Sequence, residues 1–370
     1  MKMVFRWYGE GNDTVTLQQI RQIPGVEGIV WALHDVPAGE EWPEDQIRIY
    51  QDEAESQGFH LDVVESVNIH DDIKLGLPSR DVYIENYKKT IVKLANVGVK
   101  TICYNFMPVF DWVRTDLFKE LEDRSTALFF EKSKIANIDP MDLVQTITKN
   151  PDFTMPGWEP ERLERLGELF ESYRDVTETE LRENLVYFLK QIIPVAEQHG
   201  IRMAIHPDDP PFPIFGLPRI VKNRDDIRAI LDSVDSPSNG LTLCSGSLGV
   251  NPENDIIGMV HEFADHIPFV HLRNVRVYNN GDFIETSHRS HDGTVDISGI
   301  VRALHEIGYS GYARPDHGRH IWNEQCRPGY GLYDRALGIM YLWGTWDAYQ
   351  SLSLLAKHHS IPSLIEGRLS

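Results

Sequence analysis

Cysteine is scarce: Cys103, Cys244 and Cys326 are the only three in a chain of 370 residues. Three thiols make no disulfide framework, and a reducing compartment fits best. Long apolar runs are missing as well. No window approaches the roughly 18 apolar residues of a membrane span. The opening MKMVFRWYGEG has no apolar signal-peptide core, so the expectation is a soluble, cytoplasmic protein. Positive charge is in deficit, with 36 Lys and Arg against 56 Asp and Glu and a formal net charge of −20. A field of that sign opposes polyanions, which argues against nucleic acid or an anionic membrane as a partner. An anionic small molecule would need a strongly positive local site.

What is present is an alternation. The chain is 41% hydrophobic and 25% charged, enough for one large core, and a single domain over 1–370 is expected. Eight strand-like runs stand at 3–8, 26–33, 60–66, 100–106, 202–207, 241–246, 268–274 and 311–316. Helical patterns lie between them, and several stop at a glycine (Gly98, Gly200, Gly308), where the chain turns back toward a strand. Eight such units predict an α/β fold, the (β/α)8 or TIM barrel. An open doubly wound sheet is the competitor, and it spreads its strand ends along a line rather than around a ring. One segment breaks the rhythm. Residues 108–176 stand where a βα loop should be short, and helical spacing at 116–133 and 159–173 predicts a helical insertion after strand 4. Its place puts it above the C-terminal rim of the barrel, as a lid or a contact in a homo-oligomer, a dimer or larger.

Four ligand-type residues close four successive strand runs: His206 in RMAIHPDD, Cys244 in GLTLCSGS, His271 in PFVHLRN and Asp316 in GYARPDHGRH. In a parallel barrel such positions converge on one rim. Two imidazoles, a thiolate and a carboxylate suit a divalent transition metal. Structural zinc sites use ligand pairs a few residues apart, and no such pair exists here. Taken singly, each residue has a plainer reading: a hydrogen-bonded His, a small buried Cys, a turn-capping Asp. Their common register favours the joint one. Near the same ends, Arg273 should point inward and pair an anionic group. His317, Arg319 and His320 follow Asp316 directly, the loop ETSHRSHDG offers His288 and His291, and CRPGYGLYDRALG offers Arg327 and Tyr330. Arg273, His288 and Arg319 are the candidate contacts to an anionic substrate.

The segments VFDWVRTDL, IHPDDPP, LCSGSLG, HLRNV, RPDHGR and PGYGLYDRALG, in that order, closely resemble the mannonate dehydratase family of the xylose-isomerase-like barrel group. The resemblance runs over nearly the whole chain, the insertion included. It implies a hydro-lyase that dehydrates D-mannonate, a small sugar acid, to 2-keto-3-deoxy-D-gluconate in hexuronate breakdown. It implies metal ligands at His206, Cys244, His271 and Asp316, and an acid/base pair at His317 and Tyr330. It also implies Mn²⁺, with Fe²⁺ or another divalent transition metal as the alternative. On affinity alone, a thiolate with two imidazoles favours zinc, cobalt or nickel. The competing reading is a metal-dependent sugar or sugar-acid isomerase or epimerase on the same barrel, where carboxylate-rich metal sites are usual.

Overall fold

The computed structural model describes residues 1–137 and 166–359. Eight parallel strands close into a barrel: β1 (Lys2–Arg6), β2 (Val26–Trp31), β3 (His60–Glu65), β4 (Thr101–Tyr104), β7 (Arg202–Ile205), β8 (Asn239–Cys244), β9 (Phe269–His271) and β12 (Tyr312–Arg314). Around the ring the order is β1-β12-β9-β8-β7-β4-β3-β2. The expected (β/α)8 barrel is therefore the observed one.

Local chemistry fixes where the helices begin. Thr177 accepts from the backbone of Glu180, whose carboxylate returns to the backbone of Thr177, so the helix Glu178–Gln198 opens on a capping box. Asn223 and Asp296 cap Arg224–Ser233 and Ile297–Glu306 in the same way, from one side only. The main apolar core lies between these helices and the outer face of the barrel, and includes Ile29, Ile102, Leu189, Leu243 and Ile300.

A second, smaller apolar cluster fills the barrel itself: Val4, Val30, Val63, Cys103, Phe269 and Tyr312. Side chains along a strand alternate between faces, so the residue two positions on points inward again, one layer nearer the C-terminal rim. From Val4 that step reaches Arg6, from Val63 Glu65, from Phe269 His271 and from Tyr312 Arg314. Buried Thr242, which bonds Cys103 Sγ, leads likewise to Cys244. The plug of the barrel is thus the floor of a charged layer.

The segment after β4 departs from expectation. Where helical spacing over 116–133 predicts a helix, the chain forms strands β5 (Asp116–Glu120) and β6 (Thr126–Phe130), an antiparallel hairpin turning at Arg124 with φ 65°. These join β10 (Val275–Val277) and β11 (Phe283–Glu285) in a four-stranded sheet ordered β10-β11-β6-β5. Phe130 stacks on Phe283, with ring centroids 5.1 Å apart. That pairing is remote in sequence, and it overrides the local helical period. A helix does occupy Leu166–Tyr173, while the remainder of the 159–173 reading, 159–165, lies outside the described residues.

Candidate metal centre

Cys244 ends β8 and His271 ends β9, and the two sit opposite each other in the ladder. His206 follows β7 directly, and Asp316 lies two residues past β12 in a left-handed turn, φ 56°, which aspartate tolerates better than most residues. The donor atoms of His206, Cys244 and His271 all lie within 4.8 Å of one another. His206 Nε2 is 3.2 Å from His271 Nδ1. Asp316 Oδ2 stands 3.6 Å from Cys244 Sγ and 3.8 Å from His271 Nδ1. A coordination polyhedron with bonds of about 2.0–2.3 Å has edges of roughly 3–4 Å, so the spacing of His206, Cys244 and His271 suits a divalent transition ion, with Asp316 beside two of them.

The surroundings prepare each donor. His206 Nδ1 donates to the Pro207 carbonyl at 2.7 Å, which leaves the Nε2 lone pair for the cluster. Burial opposes ionisation of Cys244, but Arg273 and His206 outweigh it and hold the thiol well below its ordinary value. The backbone N–H and the hydroxyl of Ser247 both donate to Sγ. Burial likewise disfavours a charged His206, yet the Cys244 thiolate raises it to about 9, so a bound cation would take the place of the Nε2 proton. His271 turns Nε2 toward Glu65 Oε2 at 3.5 Å and Arg314 Nε at 3.0 Å. Arg314 Nε–H donates to that nitrogen, and Glu65 in turn accepts from Arg314 Nη2 at 2.9 Å. Asp316 is held ionised against its burial by Arg314, His317 and His271, with Arg273 adding to the effect.

Beside this cluster runs a proton-carrying chain. His317 Nδ1 lies 2.9 Å from Glu285 Oε1, and its Nε2 lies 3.0 Å from the Tyr330 hydroxyl. Glu285 is buried, and burial disfavours its charge. His317, Arg273 and Arg114 nevertheless hold its carboxyl down to about 2. An ionised Glu285 accepts a hydrogen bond from Nδ1, which leaves Nε2 facing the Tyr330 hydroxyl. Burial and the neighbouring Tyr8 push the Tyr330 phenol well above its usual value, which keeps it protonated. Trp112, from the segment after β4, covers the His317 ring with centroids 5.4 Å apart. Gly329 has φ 80°, and a side chain there would run into Leu128 at 2.9 Å and His317 Cβ at 3.4 Å, so the loop carrying Tyr330 approaches this closely only as glycine.

His206, Asp316, His317 and Tyr330 line one cavity at the barrel mouth, joined by Arg6, Glu65 and Arg314. Cys244 and His271 lie fully buried at its edge. Three residues expected to meet a substrate stand elsewhere. Arg273 is 1% exposed, and all its guanidinium nitrogens are engaged: Nε by Asp316, Nη1 by Glu285, Nη2 by Asp209 and Ser247. His288 Nε2 bonds the Pro315 carbonyl at 2.6 Å, and burial lowers its pKa and keeps the ring neutral. Arg319 grips Asp334 through Nε and Nη2 and reaches Asp123 at the outer edge. Each supports the wall rather than facing the cavity. Sequence reasoning missed Arg6, Glu65, Arg314 and Glu285. For the first three the signal was available, since each is the last residue of a barrel strand and two positions beyond an interior apolar residue.

Comparison with known proteins identifies the family. The family model described as D-mannonate dehydratase covers residues 1–355. The chain is 70% identical over 348 residues to Mannonate dehydratase 1 of Bacillus licheniformis, covering 94% of this chain and 95% of that protein. It resembles the crystal structure of mannonate dehydratase from Streptococcus suis serotype 2 with a TM-score of 0.87 at 43% identity, over 95% and 96% of the two chains. A xylose isomerase domain protein from Planctomyces limnophilus, with a TM-score of 0.56 at 13% identity over 95% and 99%, shares the fold alone.

Proposed function

The chain belongs to the D-mannonate dehydratase family, and from that premise we propose that its cavity removes water from D-mannonate to give 2-keto-3-deoxy-D-gluconate, a step of hexuronate breakdown. The reaction takes the proton from C2 and expels the hydroxyl of C3 as water; the resulting enol takes a proton at C3 and becomes the 2-keto acid. The C2 proton is weakly acidic because the neighbouring carboxylate is already negative. His206, Cys244, His271 and Asp316 would hold the metal, with Mn²⁺ as the ion proposed. When bound, such an ion supplies positive charge against the electron density that builds beside the carboxylate.

The chain's own residues carry the protons. His317, whose Nδ1 is held by Glu285, offers Nε2 as the base for C2. Tyr330, a buried and protonated phenol, is the donor to the departing C3 hydroxyl. Glu285 fixes the tautomer, and Trp112 shields the imidazole from solvent. The single observation that carries this reading is the hydrogen-bonded His317–Tyr330 pair, backed by Glu285, lining the same cavity as His206 and Asp316.

The test is incubation of the purified protein with D-mannonate and Mn²⁺, with the product followed by mass spectrometry. The expected product is a 2-keto-3-deoxy acid lighter by one water, lost on chelation and restored by Mn²⁺. A product of unchanged mass would point to the isomerase or epimerase reading instead. Size-exclusion chromatography with light scattering tests the homo-oligomer expected from the segment after β4.

A further inference from the structure

Of the two arginines that line this cavity among the described residues, Arg314 is paired with carboxylates and Arg6 is not. Arg114, Arg273 and Arg314 each touch at least two carboxylates. Arg6, the last residue of β1 and 3% exposed, has no carboxylate within ion-pair distance among the described residues. Its Nη1 donates to the carbonyls of Val30 and Trp7, and its Nη2 lies 3.2 Å from His34 Nε2. The guanidinium sits over the ring of Tyr8, 4.4 Å from its centroid, while Arg327 approaches the same ring at 4.3 Å. His34 cannot serve as a counter-charge. Burial, Arg6 and Arg327 all press it toward the neutral form.

A buried guanidinium without an anion is costly, because its lost hydration is repaid only by a negative partner. This one lies in a protein of net charge −20, where carboxylates to pair it are plentiful. Beside it, Arg314 Nη1 is buried with no hydrogen-bond partner. A guanidinium without a counter-charge on β1 and an unbonded Nη1 on the adjacent β12 thus share the cavity that holds His317 and Tyr330.

We propose that Arg6 is the residue that recognises the carboxylate of the sugar-acid substrate, with Tyr8 and His34 holding its guanidinium toward the cavity and Arg314 Nη1 completing the anion site. The anionic end of the substrate then lies against the β1 side, and its second and third carbons reach the His317–Tyr330 pair. The inference rests on the sugar-acid reading of the same cavity.

D-Mannonate and D-mannonamide differ in charge and hardly in shape, so their affinities isolate carboxylate recognition. Binding is measured by calorimetry in a Tyr330→Phe background, which prevents turnover, at equal metal loading. With Arg6 intact, mannonate should bind at least about tenfold more tightly than the amide, the range of a charge-assisted hydrogen bond. Arg6→Gln should reduce that preference by about tenfold or more and leave amide binding near its original value. Arg6→Lys, which keeps the charge and the fold, should retain part of the preference. The proposal is overturned if no preference exists with Arg6 intact, if it survives Arg6→Gln, or if both ligands weaken together. Failure of the enzyme with native Tyr330 to release a 2-keto-3-deoxy acid would instead count against the dehydratase reading, and the binding comparison would still decide the role of Arg6.

Discussion

Strands β7, β8, β9 and β12 end at or close to the candidate donors His206, Cys244, His271 and Asp316, whereas β1, β3 and β4 end in Arg6, Glu65 and Tyr104. The first half of this ring spends its inward positions on donor atoms less than 5 Å apart. The second half opposes them with a guanidinium, a carboxylate that steadies a ligand, and an aromatic wall. Both halves stand on the same apolar floor, so the fold does not distinguish them. The difference is in what the buried charge is paired with. On the donor side each charge has a partner within the protein; on the β1 side Arg6 does not. A site divided this way separates holding an ion from holding a substrate, and changes on the two sides should fail differently.

The largest expected effect is on the donor side. Cys244→Ala should remove a ligand and lower both bound metal and kcat/KM by about a hundredfold or more, as read by elemental analysis and a steady-state assay. Normal metal content in that variant would dissolve the distinction between the two halves. His317→Asn sharpens it from the centre of the site. Metal content should stay the same while kcat falls by about 10²- to 10⁴-fold, and unimpaired turnover would remove His317 from the chemistry.

Glu285→Gln comes next. It should reduce kcat by about tenfold or more while metal stays bound. It also carries a pH signature. The native carboxyl is depressed from 4.5 to about 2, so the stability it contributes is complete above pH 4.5 and is lost as pH falls toward 2. The gap in melting temperature between native protein and variant should therefore narrow over that interval, and a constant gap would show that its charge does not stabilise the fold. The smallest effect belongs to Arg319→Ala. Because Arg319 is spent on Asp334 and Asp123, KM should stay within about twofold of the native value while the melting temperature drops slightly. A large rise in KM would return Arg319 to the substrate.

The barrel was legible because its signal repeats: eight apolar runs, each followed by an amphipathic helix. The gathering of His206, Cys244 and His271 was legible because Cys and His at strand ends are unusual residues in a common register. Arg6, Glu65 and Arg314 occupy that same register, but Arg and Glu at strand ends look like ordinary solvated termini until the ring is closed. Glu285 was harder. Its segment reads as a polar loop, and only pairing of Phe283–Glu285 with Thr126–Phe130 makes it a strand. The same non-local pairing hid the hairpin at Asp116–Phe130, where Leu117, Leu121 and Leu128 mimic a helical period.

That small sheet ties the chemistry of one loop to the integrity of another. Strand β11 carries the carboxylate that orients His317, and its neighbour β6 comes from a segment more than a hundred residues earlier in the chain. Loops of such barrels are often treated as exchangeable modules on a fixed frame. Here a transplant of the region after β4 would strip β11 of its flank and take away the Arg114 guanidinium that pairs with Glu285, so the two segments must be inherited, or engineered, together.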